Sequence, residues 1–235
     1  MQNTKIIKIG NVKIGGTYPI AIQSMTNTKT KDILATVNQI NKLTAIGCQI
    51  VRVAVVDMDD ALAIKEIKKQ IKIPLVADIH FDYRLAIASI EAGADKIRIN
   101  PGNIGDKERI KAVVDKAKEY DIPIRIGINS GSLEKHLLEK YGGVTAEALL
   151  ESMINHVKLI EEMNFSNLVL SIKATSLETT IKTNQLLKKH FNYPLHIGLT
   201  ESGTVKSGTI RSSYVLGSLI SLGIGDTIRV SLNGD

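Results

Sequence analysis

Apolar residues recur along this chain in two alternating rhythms. Short runs rich in β-branched residues, bounded by Pro, Gly, Asn or Asp, give way to longer stretches whose apolar residues return every three or four positions. The first rhythm predicts strands over 19–24 (PIAIQS), 50–55 (IVRVAV), 74–80 (PLVADIH), 96–100 (KIRIN), 123–129 (PIRIGIN), 168–175 (LVLSIKAT), 194–200 (PLHIGLT) and 227–232 (TIRVSL). The second predicts helices over 32–46, 57–71, 84–92, 107–120, 145–163, 177–190 and 210–222. Pro74, Pro123 and Pro194 open three of the strands, and Gly47, Gly93 and Gly223 follow three of the helices, as C-cap chemistry favours. A short segment, Lys5 to Ile14, predicts a small hairpin ahead of this alternation.

Five of the strand runs depart from the apolar pattern at a basic residue inside the run: Arg52, Arg98, Arg125, Lys173 and Arg229. A strand flanked by helices is buried on both faces and normally apolar throughout. An unpaired charge there is strongly disfavoured, so five such charges need a common purpose. Parallel strands whose ends converge on one anionic ligand would supply it, and arginine forks with a lysine suit a phosphate or diphosphate. The competing reading places each residue at a strand end, paired with a local carboxylate. Only closure of the sheet brings five strand ends around one mouth, so the pattern predicts a (β/α)8 TIM barrel over a doubly wound sheet. Residues 1–235 then form one substrate-binding barrel. Eight strands are followed by only seven helices, so the final outer helix is expected to be missing and the chain to be a fragment of a longer protein.

Composition narrows the function. The 43% hydrophobic and 23% charged fractions are those of a globular protein. No apolar run reaches membrane-spanning length and the first residues lack a secretory signal, so the chain reads as cytoplasmic with no membrane partner. A single cysteine, Cys48, excludes an intrachain disulfide and any multi-cysteine metal site within this chain, and its position after a helical pattern reads as a small buried hydrophobe. The net charge of +6 admits nucleic acid, but the lysines are interleaved with acids on helical stretches, and only 4% of residues are aromatic. No nucleic-acid partner is expected.

The strand ends gather Gln23, Ser24, Arg52, Asp78, His80, Arg98, Asn100 and Asn103, then Arg125, Asn129, Ser171, Lys173, Thr200, Glu201, Arg229 and Ser231. That set is polar, largely cationic and poor in acids. Asn100, Asn129 and Ser231 are sized to complete hydrogen bonding to an anion. Two glycine-rich loops, 100–106 (NPGNIGD) and 201–209 (ESGTVKSGT), could offer backbone amides to phosphate, though each also suits plain turn chemistry. Gly203 and Gly208 have the spacing of a nucleotide P-loop, but Thr209 stands where its lysine is required. Asp78 and His80 share a strand face and read as a hydrogen-bonded pair rather than two ligands of a metal. His136, His156 and His190 lie in Lys- and Glu-rich helices and read as solvated, whereas His196 reads as a core histidine. Glu201 is the sharpest acid candidate, as a proton donor or as an ionised group paired with a neighbouring cation.

The stretches PIAIQSMTNTKTKD, VNQI, IVRVAV, PLVADIHFDYRLA, IRINPGNIG, PIRIGINSGSLEK, KYGG, SIKAT, HIGLTESG and GIGDTIRVSL, in this order from about Gly10 to Asp235, resemble the 4-hydroxy-3-methylbut-2-enyl diphosphate synthase family of the methylerythritol phosphate route. The resemblance implies an oxidoreductase whose TIM barrel binds a cyclic diphosphate. It carries over Arg52, Arg98, Arg125, Lys173 and Ser231 as diphosphate contacts, with Asn129 and His80 near the substrate and Glu201 beside its reacting part. It further implies a [4Fe–4S] cluster on a following domain, reduced by flavodoxin or ferredoxin, in a head-to-tail homodimer. The cysteine ligands of that cluster are not in this chain, so the barrel alone is expected to bind without turning over. Two alternatives are a cluster-free pterin- or phosphate-binding barrel of the dihydropteroate synthase type, and a diphosphate-binding module without catalysis.

Overall fold

The architecture was obtained as a computed structural model, which describes residues 3–232. A hairpin of β1 (Ile7–Ile9) and β2 (Val12–Ile14) precedes the barrel strands β3 (Ala21–Met25), β4 (Ile50–Val55), β5 (Leu75–Ile79), β6 (Lys96–Ile99), β7 (Ile124–Asn129), β8 (Leu168–Lys173), β9 (His196–Ile197) and β10 (Thr227–Ile228). These eight pair in parallel in the order β8-β7-β6-β5-β4-β3-β10-β9. A parallel bridge between Leu170 and Leu195 joins β8 to the start of β9 and closes the ring. The expected barrel is therefore the observed fold.

Side-chain alternation explains how such strands carry charge. On β4 to β8 the outward residues (Val51, Val53, Leu75, Ala77, Ile97, Ile99, Ile124, Ile126, Leu168, Leu170) are apolar and pack with the helices in one continuous core. The inward residues change character along the barrel axis. At the N-terminal end Ala21, Ile50, Val76 and Val169 form a second apolar cluster, sealed by Ile7, Ile9 and Ile14 of the hairpin. Above it the same inward rows carry Arg52, Asp78, Arg98, Arg125, Ser171 and Lys173. The basic residues thus stand within β4, β6, β7 and β8, facing the barrel axis, while Arg229 lies one residue beyond β10.

The outer layer comprises α1 (Ile33–Ala45), α2 (Met58–Lys68), α3 (Tyr83–Glu91), α4 (Pro101–Ile104), α5 (Lys107–Glu119), α6 (Lys135–Tyr141), α7 (Ala146–Glu161), α8 (Leu177–His190) and α9 (Val205–Ser221). Most start at a side-chain cap: Asp32, Asp57, Asp82, Asp106, Thr145 and Ser176 each accept a backbone N–H of the first turn. Four features differ from the sequence reading. The loop 100–106 contains α4, capped by Asn100 with Pro101 at its first position, and α6 is an additional short helix ended by Gly142 in a left-handed conformation. Helix α9 begins at Val205, so half of the second glycine-rich segment is its first turn. Strands β9 and β10 are shorter than expected; their ladder reaches one bond further, with the Arg229 N–H donating to the Ile197 carbonyl at 3.2 Å. The expectation that no outer helix follows residue 232 lies outside the described residues.

Candidate anion-binding site

The cationic side chains from five positions around the ring enclose one cavity of about 110 Å³ at the C-terminal mouth. Arg52, Arg98, Arg125, Lys173 and Arg229 all line it, with Asp78 as the single carboxylate among the described residues, so five basic groups meet one acid. Asp78, 2% exposed, is held between Arg52 at 3.4 Å and Arg98 at 3.2 Å, with His80 Nε2 at 3.5 Å. Burial pushes the Asp78 carboxyl upward, but Arg52, the His80 hydrogen bond, Arg98 and Arg125 outweigh it and hold the group well below the usual carboxylate range. The expected Asp78–His80 pair is therefore present, as part of a larger ionic cluster.

The cations are poorly satisfied by the protein itself. Arg125 is 2% exposed, and its Nε and one terminal nitrogen have no protein partner. Arg98 donates to Asp78 and, at 3.3 Å, to the Gly127 carbonyl, leaving its Nε unpartnered. Arg52 turns two N–H groups, at 3.1 and 2.9 Å, towards the thioether of Met25, a weak acceptor. Arg229 donates to the Ser231 hydroxyl at 3.3 Å. Burial is the leading influence on Arg52, Arg125 and Arg229 and lowers Arg52 to about 10, still charged at neutral pH. It also drives Lys173 well below the ordinary lysine value, with Arg125 and Arg52 adding to the effect. Buried donors without acceptors are costly, and a cluster this lopsided is complementary to a compact, multiply negative group.

Two glycines make the convergence possible. A Cβ on Gly127 would lie 2.6 Å from Arg98 Nε, and one on Gly198 would lie 2.8 Å from Lys173 Nζ. Sequence reasoning passed over both, although a glycine inside a strand is a known sign of close approach.

The remaining anticipated residues divide. His80, Asn129, Ser171, Thr200 and Ser231 line the cationic cavity. Asn129 and Thr200 also border an adjoining open cavity of about 650 Å³, rich in hydroxyl groups from Ser130, Ser132, Thr175, Ser176 and Thr179, and Glu201 lies there, exposed, with a left-handed backbone at φ 50°. Asn100 does not border the cationic cavity. It accepts the Gly102 N–H at 3.1 Å and donates to Ser132 at 3.2 Å, so it ties the loops after β6 and β7 together. Gly203 and Gly208 do not border it either; Gly208 is buried inside α9, where a Cβ would meet Leu232 at 2.8 Å. His196 is fully buried, as expected, and its Nδ1 lies 2.7 Å from the Thr227 hydroxyl. His136 and His190 are exposed, but His156 is buried on the core face of α7 and pairs with Glu134 at 3.0 Å. Its spacing from Ser152, Met153 and Ile160 places it on that face, a signal the expectation of solvation overlooked.

Cys48 is buried, and its thiol donates to the Ile50 carbonyl at 3.2 Å. Among the described residues there is no group of three or more His, Cys, Asp or Glu side chains placed to hold a metal ion. No described helix is long and apolar enough to cross a membrane.

Residues 4–235 match the family described as the GcpE TIM-barrel domain. A protein of Caldanaerobacter subterraneus subsp. tengcongensis named 4-hydroxy-3-methylbut-2-en-1-yl diphosphate synthase (flavodoxin) is 60% identical over 99% of this chain, which covers 65% of that protein. A Clostridium perfringens protein of the same name is 56% identical over the whole chain, which covers 67% of it. The chain thus spans about two thirds of the length of the curated relatives it matches. Among solved structures, dihydropteroate synthase of Xanthomonas albilineans matches 96% of this chain and 92% of its own, with a TM-score of 0.60 at 12% identity, a likeness of fold alone.

Proposed function

Because the chain belongs to the GcpE TIM-barrel domain family, we propose that it is the substrate-binding barrel of a 4-hydroxy-3-methylbut-2-enyl diphosphate synthase. In this reading the cationic cavity seats the diphosphate bridge of 2-C-methyl-D-erythritol 2,4-cyclodiphosphate. The full enzyme opens that ring reductively and expels a hydroxyl as water, with flavodoxin, which the relatives' name includes, or ferredoxin supplying electrons. The observation that carries the reading is the convergence of Arg52, Arg98, Arg125, Lys173 and Arg229 on one cavity with a single carboxylate among the described residues.

The residues of this chain bind and orient. Arg125 and Arg98 offer their free N–H groups to phosphate oxygens, and Lys173 adds a point charge. Ser231 and Asn129 complete the hydrogen bonding at the rim, and His80 lies beside them. Asp78 keeps Arg52 and Arg98 in position without entering the chemistry. The carbon skeleton extends into the adjoining hydroxyl-rich cavity, which brings its reacting end towards Glu201 as proton donor. Among the described residues no Phe or Tyr lines the cationic cavity, which disfavours a flat pterin there.

The described residues do not fit a [4Fe–4S] cluster, since about four protein ligands are required and the one cysteine is buried against Ile50. In this reading the cluster belongs to the part of the full-length relatives that this chain does not match.

Calorimetric titration of the cyclodiphosphate, with the phosphate-free methylerythritol as control, tests the reading. The expected result is binding of the cyclodiphosphate that weakens as salt rises, and none of the control. Failure of the cyclodiphosphate to bind would remove the reading.

A further inference from the structure

Beneath the cationic cavity lies a tier of polar side chains that the site does not use. Lys96 on β6 points along the same inward row as Arg98, one pleat closer to the sealed end of the barrel. It is 0% exposed and its Nζ has no hydrogen-bond partner. Gln23 on β3, 3% exposed, has neither side-chain polar atom paired, and the Nε2 of the wholly buried His196 on β9 is likewise free.

Among the described residues the charged groups facing Lys96 are all cationic: Arg52 from β4 and Arg125 from β7, with the titratable His196 beyond. Lys173 from β8 and Arg98 on its own strand add to the same positive cluster. The inward carboxylate of β5, Asp78, is committed to Arg52, Arg98 and His80. Asp95, next in sequence, is committed to Lys68 and to the Leu75 N–H.

An ammonium in that position would lack both water and counter-charge, and would add to the repulsion among the cations above it. As a free amine it carries no charge to desolvate and is tolerated there. A bound dianion reverses the balance by placing negative charge directly above the tier.

We propose that Lys96 is an uncharged amine in the free barrel and takes up a proton when a diphosphate seats in the cavity above it, so that ligand binding is coupled to proton uptake. The inference rests on the anion-binding reading of that cavity and adds to it a buried proton acceptor outside the ligand contacts. Burial, then Arg125 and Arg52, all push the Lys96 ammonium well below its ordinary value, in the direction the geometry requires. In the free chain the unfolded state therefore binds the proton that the folded state lacks. The Lys96 contribution makes the fold more stable as pH rises towards about 10, the ordinary lysine value, and less stable as pH falls.

The cyclodiphosphate suits the test, because each phosphorus bears one strongly acidic oxygen and the ligand itself exchanges no proton near neutrality. Titration calorimetry at neutral pH, in two buffers of different ionisation enthalpy, counts the protons taken up by the protein. The expected result is net uptake by the unaltered chain, and a smaller count in Lys96→Met with binding retained. Binding with no uptake, or with the same count in Lys96→Met, overturns the inference and leaves the site reading intact; absence of binding overturns both.

Should Lys96→Met fail to fold, Lys173→Met carrying ¹³C at every lysine Cε gives a second reading with Lys96 in place. One buried lysine signal is expected at the amine position without ligand and at the ammonium position with it. That buried signal at the ammonium position in the free protein would sink the proposal.

Discussion

Replacing Asp78 with Asn removes one charge while keeping the side chain's shape, and should expose what five clustered cations cost the fold. Asp78 is the only carboxylate among the described residues lining the cavity, is 2% exposed, and lies 3.4 Å from Arg52 and 3.2 Å from Arg98. Removing one partner of a buried ion pair costs about 3–5 kcal/mol. The two guanidinium groups border a cavity that admits water, so the low end, about 3 kcal/mol, is the appropriate figure. For a chain of this size each kcal/mol moves Tm by about 2–4 °C, so Asp78→Asn should melt about 6–12 °C lower. A bound dianion supplies the missing counter-charge. The cyclodiphosphate should therefore raise Tm by more in the variant than in the unaltered chain at equal saturation, where mass action alone gives about 2.7 kcal/mol at a hundredfold excess over Kd. Differential scanning fluorimetry with and without ligand measures all four values. The pH dependence gives a second check. A carboxyl held below its ordinary value stabilises the fold fully above about pH 4 and ceases to do so as pH falls below it, so Asp78→Asn should flatten the acid side of the stability profile. Equal melting temperatures and equal ligand shifts would refute the view that Asp78 neutralises the cluster.

Arg98→Ala, Arg125→Ala and Lys173→Ala should each weaken cyclodiphosphate binding by about 1.5–3 kcal/mol, the range for charge-assisted hydrogen bonds; calorimetry with affinity unchanged in all three would dismantle the site. Gly127→Ala places a Cβ against Arg98 Nε and should cost about 1–3 kcal/mol of stability and lower affinity without altering any charge, as denaturant titration and calorimetry would show. Glu201→Gln should leave affinity in this chain equal or slightly improved, and slow single turnover in a full-length relative by about a hundredfold or more. A loss confined to affinity would make Glu201 a structural partner instead.

The barrel was legible because its two periodicities are strong and its strand runs are separated by helices long enough to show a 3.6-residue repeat. The five basic residues were legible for a different reason: each interrupts a run that burial on both faces should keep apolar. Reading those runs without separating inward from outward rows hid Lys96, which belongs to the same row as Arg98 and is as anomalous. Helix α6 escaped notice because seven residues give barely two turns, and α4 because Gly102 and Gly105 suggested a loop although Asn100 and Pro101 form a good helix start. The early start of α9 was masked by Gly208, a helix-weakening residue kept there by its close approach to Leu232. What the sequence could not convey is which strand-end residues share a cavity: Asn100 and Glu201 lie at or near strand ends as Asn129 and Thr200 do, yet only the latter two reach the cationic cavity.

The central claim, that five cations form one anion site, is met most directly by a crystal structure of this chain with the cyclodiphosphate. The account predicts both phosphorus atoms within the cavity, their oxygens in hydrogen-bonding distance of Arg98, Arg125 and Lys173, with the carbon skeleton leading towards Glu201. A ligand bound elsewhere on the barrel, with the five cations unengaged, would contradict it.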